Sequence, residues 1–171
     1  MNPDAFADWE TRVAAVWKIA DTLTPQELVR TVDALASERP ADDPFALFER
    51  ACARDTAGLE DGAEPLYRAA LASGRLDPYR HARASIQLGS TLRHLGRLDE
   101  SEALLLAQLE RCRAEGPGAA LHDEVRSILA FTWVAQGRAV EAASLALETL
   151  APHLSRYQRS TAANARALRG G

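Results

Sequence analysis

The sequence predicts an all-α fold, and three observations favour that class. The first is composition: of 171 residues, 34 are Ala and 23 are Leu, whereas 7 are Val, 3 are Ile and 9 are Thr. Ala and Leu favour helices, whereas β-branched residues favour strands. The second is a series of glycines that follow segments with helical periodicity, and the third is an internal repeat. A chain of this length can bury a core of its own, so we expect a single domain over 1–171.

Glycines mark the expected helix ends. Glycine adopts the left-handed conformation that ends a helix without the steric penalty that other residues incur. Five glycines each follow a segment with helical periodicity, namely Gly58, Gly74, Gly96, Gly116 and Gly137. We therefore expect a helix to end just before each of them.

Capping residues mark the expected helix starts. The stretch TPQE at 24–27 is a capping box with Pro at the first helical position. An acidic residue followed by Pro stands at 43–44 and again at 77–78. Two further candidate caps are Asp99 with Glu102 and Ser155 with Gln158.

Together these signals predict nine helices with short connections, so that neighbouring helices pack antiparallel. The expected helices cover residues 4–21, 24–37, 43–57, 61–73, 77–95, 99–114, 119–136, 138–150 and 155–169. A polar, proline-bearing segment at 37–44, SERPADDP, separates an N-terminal helix pair (1–38) from the rest. We interpret it as a joint within one domain and not as a domain linker.

An internal repeat becomes visible when Gly58, Gly96 and Gly137 are taken as common origins, which are 38 and 41 residues apart. Small residues stand five positions later (Ala63, Ser101, Ala142) and seven positions earlier (Ala51, Gly89, Ala130). Leucines stand eight positions later (Leu66, Leu104, Leu145) and thirteen positions later (Leu71, Leu109, Leu150). A period of this length is typical of stacked helix hairpins, in which neighbours cover each other's apolar faces.

These positions resemble the tetratricopeptide repeat family over about residues 44–169. The stretches LGSTLRHLGRLDESEALL (88–105) and AFTWVAQGRAVEAASLAL (130–147) carry the family's small residues and turn glycines. With the tail APHLSRYQRS, the whole resembles a small bacterial group with three such hairpins. The sequence departs from the family in three ways: its spacing exceeds the usual ~34 residues, Arg54 replaces an aromatic residue, and the expected proline is missing or shifted to Pro152.

The resemblance implies a right-handed superhelix of antiparallel hairpins over 43–151, with a capping helix over 153–169. It implies a concave groove formed by helices 43–57, 77–95 and 119–136, which binds a protein or peptide. Proteins of this kind rarely catalyse reactions, so we expect no enzyme activity and no cofactor.

The resemblance also nominates residues of this groove. The family's Lys and Asn clamp for a terminal carboxylate falls on Phe48, Ile86 and Ser127 and on Cys52, Ser90 and Phe131, none of which is Lys or Asn. We therefore expect no such clamp. Helical spacing adds a basic wall of Arg83, Arg93 and His94, which either binds an acidic partner through bidentate arginines or is only a solvated helix face.

Charge and hydropathy exclude several other classes. The net charge of −4 disfavours nucleic-acid binding, because such proteins usually carry a basic excess. No apolar run approaches the ~18 residues of a membrane span, and the acidic N-terminus carries no apolar segment. Cys52 and Cys112 form no metal or disulfide motif and are expected to be small core residues. We expect a cytoplasmic protein without metal.

Three alternatives remain at this point. Acidic clusters at 99–102 and 122–124 could be catalytic carboxylates, but we prefer to interpret them as first-turn acids, which are common at helix starts. The N-terminal helix pair could form a symmetric homodimer and make the chain a structural subunit. Basic residues of the last helix suit its dipole at Arg166 and Arg169, whereas Arg156, Tyr157 and Arg159 are open to an acidic-partner role.

Overall fold

The computed structural model describes residues 3–116, 119 and 121–170, and every regular element in this part of the chain is helical. The α-helices are α1 (Pro3–Lys18), α2 (Pro25–Ala36), α3 (Pro44–Thr56), α4 (Glu60–Ala72), α5 (Pro78–His94), α6 (Leu98–Glu115), α7 (His122–Ala135), α8 (Ala139–Leu150) and α9 (Gln158–Ala167). Short 3-10 turns cover Ala20–Thr22 and Ala151–His153. The predicted all-α class is confirmed, and the handedness of the superhelix stays a prediction.

The chain divides between Asp77 and Pro78 into two compact units. The first unit holds α1 to α4, and the second holds α5 to α9. The segment at 37–44 lies inside the first unit, where it connects α2 to α3. The single domain expected over the whole chain stays a prediction.

Three helix–turn–helix junctions share one backbone geometry, at Gly58 (φ 70°), Gly96 (φ 74°) and Gly137 (φ 81°). The N–H of the residue after each glycine donates to a carbonyl five residues back, namely Leu59 to Arg54 (2.9 Å), Arg97 to Leu92 (2.8 Å) and Arg138 to Trp133 (2.8 Å). This is the Schellman arrangement, which needs a left-handed residue at the glycine position. All five glycines that were predicted to end helices have positive φ, including Gly74 and Gly116.

The helix starts confirm two predicted caps and contradict two others. The Thr24 and Glu27 side chains form a reciprocal capping box, and the Asp43 carboxylate accepts hydrogen bonds from the N–H groups of Phe45 and Ala46. The prediction for Asp99 is wrong, because the Schellman turn places Arg97 before the helix and Asp99 in its first turn. The prediction for Ser155 is also wrong, since α9 begins at Gln158 after Tyr157, which has a left-handed φ of 66°.

Tryptophans and ion pairs hold the first unit together. Trp9 and Trp17 of α1 donate indole hydrogen bonds to the Leu35 carbonyl (2.9 Å) and to the Glu49 carboxylate (2.6 Å). Arg54 makes two 2.9 Å hydrogen bonds to the Asp33 carboxylate and so ties α3 to α2. The arginine that replaces the family's aromatic residue therefore stabilises the packing by a bidentate ion pair.

The small repeat positions of the second unit allow a close approach of α5, α6 and α7. Ser101 is fully buried, and its hydroxyl donates to the Gly89 carbonyl at 2.7 Å. The Ser101 and Thr132 hydroxyl oxygens lie 2.9 Å apart. A Cβ atom at Gly89 would lie only 2.8 Å from the Leu105 side chain, so glycine is required by packing at this position.

Glu102 connects α6 to α7 and to the turn before α8. Its carboxylate accepts hydrogen bonds from the Trp133 indole (2.6 Å), Gln136 (2.9 Å) and Arg138 (2.7 Å). Arg138 also lies over the Trp133 ring, with 4.6 Å between the guanidinium carbon and the ring centre. Burial alone would raise the pKa of Glu102, but these hydrogen bonds outweigh it and hold that pKa below its ordinary value of 4.5.

We expect Gly89→Ala to destabilise the chain by about 1–3 kcal/mol, because the added methyl group forces Leu105 out of a closed core. Gly62→Ala is the matched control: a Cβ there would be 3.4 Å from Arg54 Cδ, which is an ordinary van der Waals contact, so helix propensity predicts stabilisation of about 0.5–1 kcal/mol. Urea denaturation followed by circular dichroism measures both. Equal stability of the two variants would contradict the close approach at Gly89.

We expect Glu102→Gln to lower the free energy of unfolding by about 1.5–3 kcal/mol at neutral pH, because hydrogen bonds to a charged acceptor are lost. Since the pKa of Glu102 is lowered in the folded state, its contribution is complete above its ordinary value of 4.5. The contribution disappears as pH falls through the lowered folded pKa. Stability measured from neutral to acidic pH should therefore converge for variant and wild type.

Glu110→Gln on the same helix is the control, since Glu110 pairs with Arg113 at an exposed site where ion pairs contribute little. It should shift stability by less than about 1 kcal/mol at every pH. A difference between Glu102→Gln and wild type that stays constant down to acid pH would contradict the ionised hydrogen-bonded carboxylate.

Candidate protein-binding face

Two neighbouring helices of the second unit, α5 and α7, carry most of the predicted partner-binding residues. Arg83, Ile86, Ser90, Arg93 and His94 lie on α5, and Ser127 and Phe131 lie on α7. Spacings of three and four residues place the members of each group on one side of their helix. The guanidinium carbon of Arg93 lies 5.9 Å from the centre of the Phe131 ring, which joins the two groups. We call this set of seven residues the α5–α7 face.

Phe131 is the most prominent apolar residue of the α5–α7 face, with 58% of its surface exposed. Val134, one turn later on α7, is also exposed at 56%. Ile86 is half-buried and packs against the core cluster that contains Leu105 and Leu129. The two helices therefore carry exposed apolar surface at Phe131 and Val134, and a third apolar side chain, Ile86, that packs on the core. Sequence reasoning missed Val134, although its position three residues after Phe131 carries the signal.

Arg93 is held in a fixed orientation while its charge stays available. Its Nη2 donates to His94 Nε2 at 2.7 Å and to the Ser90 hydroxyl at 3.4 Å. Its Nε is buried and has no hydrogen-bond partner among the described residues. Arg93 also forms no ion pair with any of these residues. A positive charge next to an exposed aromatic ring suits a ligand with both an apolar and an anionic group.

Arg83 and Ser127 extend the face along the two helices. Arg83 is half-buried, with its guanidinium carbon 6.0 Å from the centre of the Tyr79 ring, and Tyr79 is 51% exposed. Ser127 is exposed, and its hydroxyl donates to the Asp123 carbonyl at 2.9 Å. Arg83, Arg93 and His94 therefore lie on α5 beside apolar and small polar groups, and their role as a basic wall stays a prediction.

Phe48 and Cys52 differ from the expectation that they line a groove. Phe48 is 0% exposed and Cys52 is 1% exposed, so neither offers surface to a partner. The Phe48 ring lies 6.3 Å from the Tyr67 ring, in the interior of the first unit. Water exclusion favours a buried phenyl group, and spacing alone could not show that this side of α3 is covered. Cys52 and Cys112 are both buried and neither is in a disulfide, as predicted for core cysteines.

The acidic clusters at helix starts are engaged locally. Asp123 accepts hydrogen bonds from His122 Nδ1 (3.0 Å) and His153 Nε2 (2.9 Å), and Glu100 pairs with Arg97 at 2.7 Å. Burial tends to raise the pKa of Asp123, but the bonds from His153 and His122 outweigh it and lower that pKa. Among the described residues, no group of three or more His, Cys, Asp or Glu could hold a metal ion.

Three comparisons with known proteins complete the description. A model of the tetratrico peptide repeat family matches residues 44–168, from α3 to the end of α9. No curated protein and no solved structure matches the chain. In the part of the chain that the structure describes, no helix has both the length and the apolar character of a membrane span. Since the family match covers well over half of the chain and agrees with the three repeated turns, the chain belongs to the tetratricopeptide repeat family.

Proposed function

We propose that this chain is a non-catalytic interaction module that binds a protein or peptide partner on the α5–α7 face. Membership of the tetratricopeptide repeat family suggests an interaction module. The observation that carries the choice of surface is the exposed ring of Phe131 beside the orientated guanidinium of Arg93. Exposed aromatic residues and arginines are the residue types that dominate binding energy at interfaces.

Phe131 is the expected apolar anchor. A phenylalanine of this exposure leaves roughly 100 Å² of apolar surface in water, whose burial contributes about 2–3 kcal/mol. Burial of Val134 by the same partner would add to this term. Ile86 of the α5–α7 face is half-buried, and its side chain packs on the core. An apolar side chain of the partner that packs on the Phe131 ring would bury this surface next to Arg93.

Arg93 determines which polar group the partner must carry. Within the described residues it forms no ion pair, and its Nε donor is buried without a hydrogen-bond partner. A carboxylate on the partner would supply an acceptor and an opposite charge at the same time. The partner segment that fits is therefore amphipathic, with an apolar side toward Phe131 and an acidic edge toward Arg93 and Arg83. Either an amphipathic helix or an extended segment meets this requirement.

We expect Phe131→Ala to weaken partner binding by about 2 kcal/mol, or about 30-fold in Kd, because an aromatic anchor is removed. The double variant Arg83→Glu with Arg93→Glu should abolish binding by reversing the charge that meets the acidic edge. Affinity capture with wild-type chain identifies the partner, and calorimetry with the purified partner then measures each variant.

Leu106→Ala is the matched control for Phe131, since Leu106 is 42% exposed on α6, away from the α5–α7 face. The double variant Arg111→Glu with Arg156→Glu makes the same charge change at exposed sites outside the face. Both controls should bind as wild type, and circular dichroism should show intact helices in all variants. A captured partner that binds the Phe131 and Arg93 variants as tightly as the controls would refute the proposed face.

A further inference from the structure

A second surface of the second unit carries an excess of positive charge that the α5–α7 face does not include. A pocket of about 670 Å³ lies between α7, α8, the Ala151–His153 turn and α9. Its polar lining includes Arg126, Glu148, Gln158, Arg159 and Arg166, with Ala162 between the last two. Three arginines and one carboxylate thus face the same space.

Among the described residues, the only carboxylate that lines this pocket, that of Glu148, already binds two arginines. Arg126 Nη2 lies 3.2 Å from Glu148 Oε2, and the guanidinium of Arg169 binds the other carboxylate oxygen of Glu148. Arg126 also donates through Nε to the Thr149 hydroxyl at 2.7 Å. Glu148 therefore neutralises arginines that enter from α7 and from the end of α9, and it has no oxygen left without an arginine partner.

Arg159 and Arg166 are left without an anionic partner. In the described part of the chain neither makes a hydrogen bond or an ion pair through its side chain. Their positions and that of Ala162 follow a spacing of three and four residues, which puts all three on one side of α9. Because Ala162 is small, the space between the two guanidinium groups stays open.

The position of Arg159 is not explained by the stability of α9. Basic residues stabilise the last turn of a helix, which accounts for Arg166 and Arg169. Arg159, however, is the second residue of α9, where the positive end of the helix dipole repels a cation. No side chain caps this helix start either. A cation placed against the local electrostatics, facing a pocket, indicates a ligand of negative charge.

We infer that this pocket, formed by Arg126, Arg159 and Arg166, is a docking site for an acidic segment of a protein partner, which binds through at least two carboxylates. Guanidinium groups pair with carboxylates in bidentate fashion, as Arg54 does with Asp33 in the first unit. The net charge of −4 of the whole chain opposes nucleic acid as the occupant, because a polyanion gains from a basic excess over a wide surface.

The geometry of α9 determines the spacing that the carboxylates of the partner segment need. Residues seven apart on a helix are about 10.5 Å apart along its axis. A peptide in the polyproline II conformation has three residues per turn and rises about 3.1 Å per residue, so every third side chain points to the same side at intervals of about 9 Å. An acidic segment with Glu or Asp at every third position therefore places its carboxylates opposite Arg159 and Arg166. This inference does not depend on the α5–α7 face, and variants of that face separate the two sites.

The test uses the full chain and a short fluorescein-labelled peptide in which glutamates stand three residues apart, with the all-glutamine peptide as its control. Fluorescence anisotropy should show binding of the glutamate peptide alone, weakening as salt increases. Arg159→Ala with Arg166→Ala should reduce the affinity by at least about tenfold. Arg30→Ala with Arg111→Ala, at exposed sites outside the pocket, and Phe131→Ala should leave the affinity unchanged.

Glu148→Gln provides a readout that misfolding cannot imitate. This substitution removes the carboxylate that competes for Arg126 and Arg169, so the glutamate peptide should bind the variant several-fold more tightly than it binds wild type. Equal binding of the peptide to wild type and to the Arg159 and Arg166 variant would overturn the inference. So would binding of a labelled oligonucleotide in the absence of peptide binding, or equal binding of the glutamine peptide.

Discussion

The left-handed turn at Gly58, Gly96 and Gly137 is the constraint on which the hairpins depend. Its hydrogen bond from the residue after glycine to the carbonyl five residues back ends one helix and starts the next within three residues. The following helix therefore begins with a fixed rotation about its own axis. As a result, the residue five positions after each glycine faces the partner helix. That residue is Ala63, Ser101 or Ala142, and each is at most 2% exposed. Close helix packing thus follows from a backbone turn and a small side chain acting together.

Features encoded by a few neighbouring residues were predictable from the sequence. These features are the glycines at helix ends, the Thr24 and Asp43 caps and the small residues of the repeat. They depend on local conformation and on periodicity, which can be read directly from the sequence. The caps assigned to Asp99 and Ser155 were wrong because the true helix starts depend on left-handed turns at Gly96 and Tyr157. Spacing put Phe48 and Cys52 on one side of α3, but only tertiary packing decides that this side is buried.

Polar partners across helices were the least predictable part. Arg54 with Asp33, and Glu102 with Trp133, Gln136 and Arg138, join residues separated by 21 or more positions. No local pattern shows which charges will meet at that separation. The same holds for the α5–α7 face, where sequence located Arg93 and Phe131, but their contact at 5.9 Å is a product of helix packing. Arg159 and Arg166, which pair with no carboxylate among the described residues, are informative because the chain carries more acidic than basic residues.

The placement of the three tryptophans has a consequence for spectroscopy. Trp9 and Trp17 both belong to α1, whereas Trp133 belongs to α7, so each compact unit contains its own intrinsic fluorophore. Trp133 donates to an ionised carboxylate and lies under a guanidinium, two contacts that tune the emission of an indole. When indole alone is excited, a variant that keeps only Trp133 therefore reports on the second unit, and a variant that keeps only Trp9 and Trp17 reports on the first. The cooperativity between the two halves of the chain can thus be observed optically, without any added label.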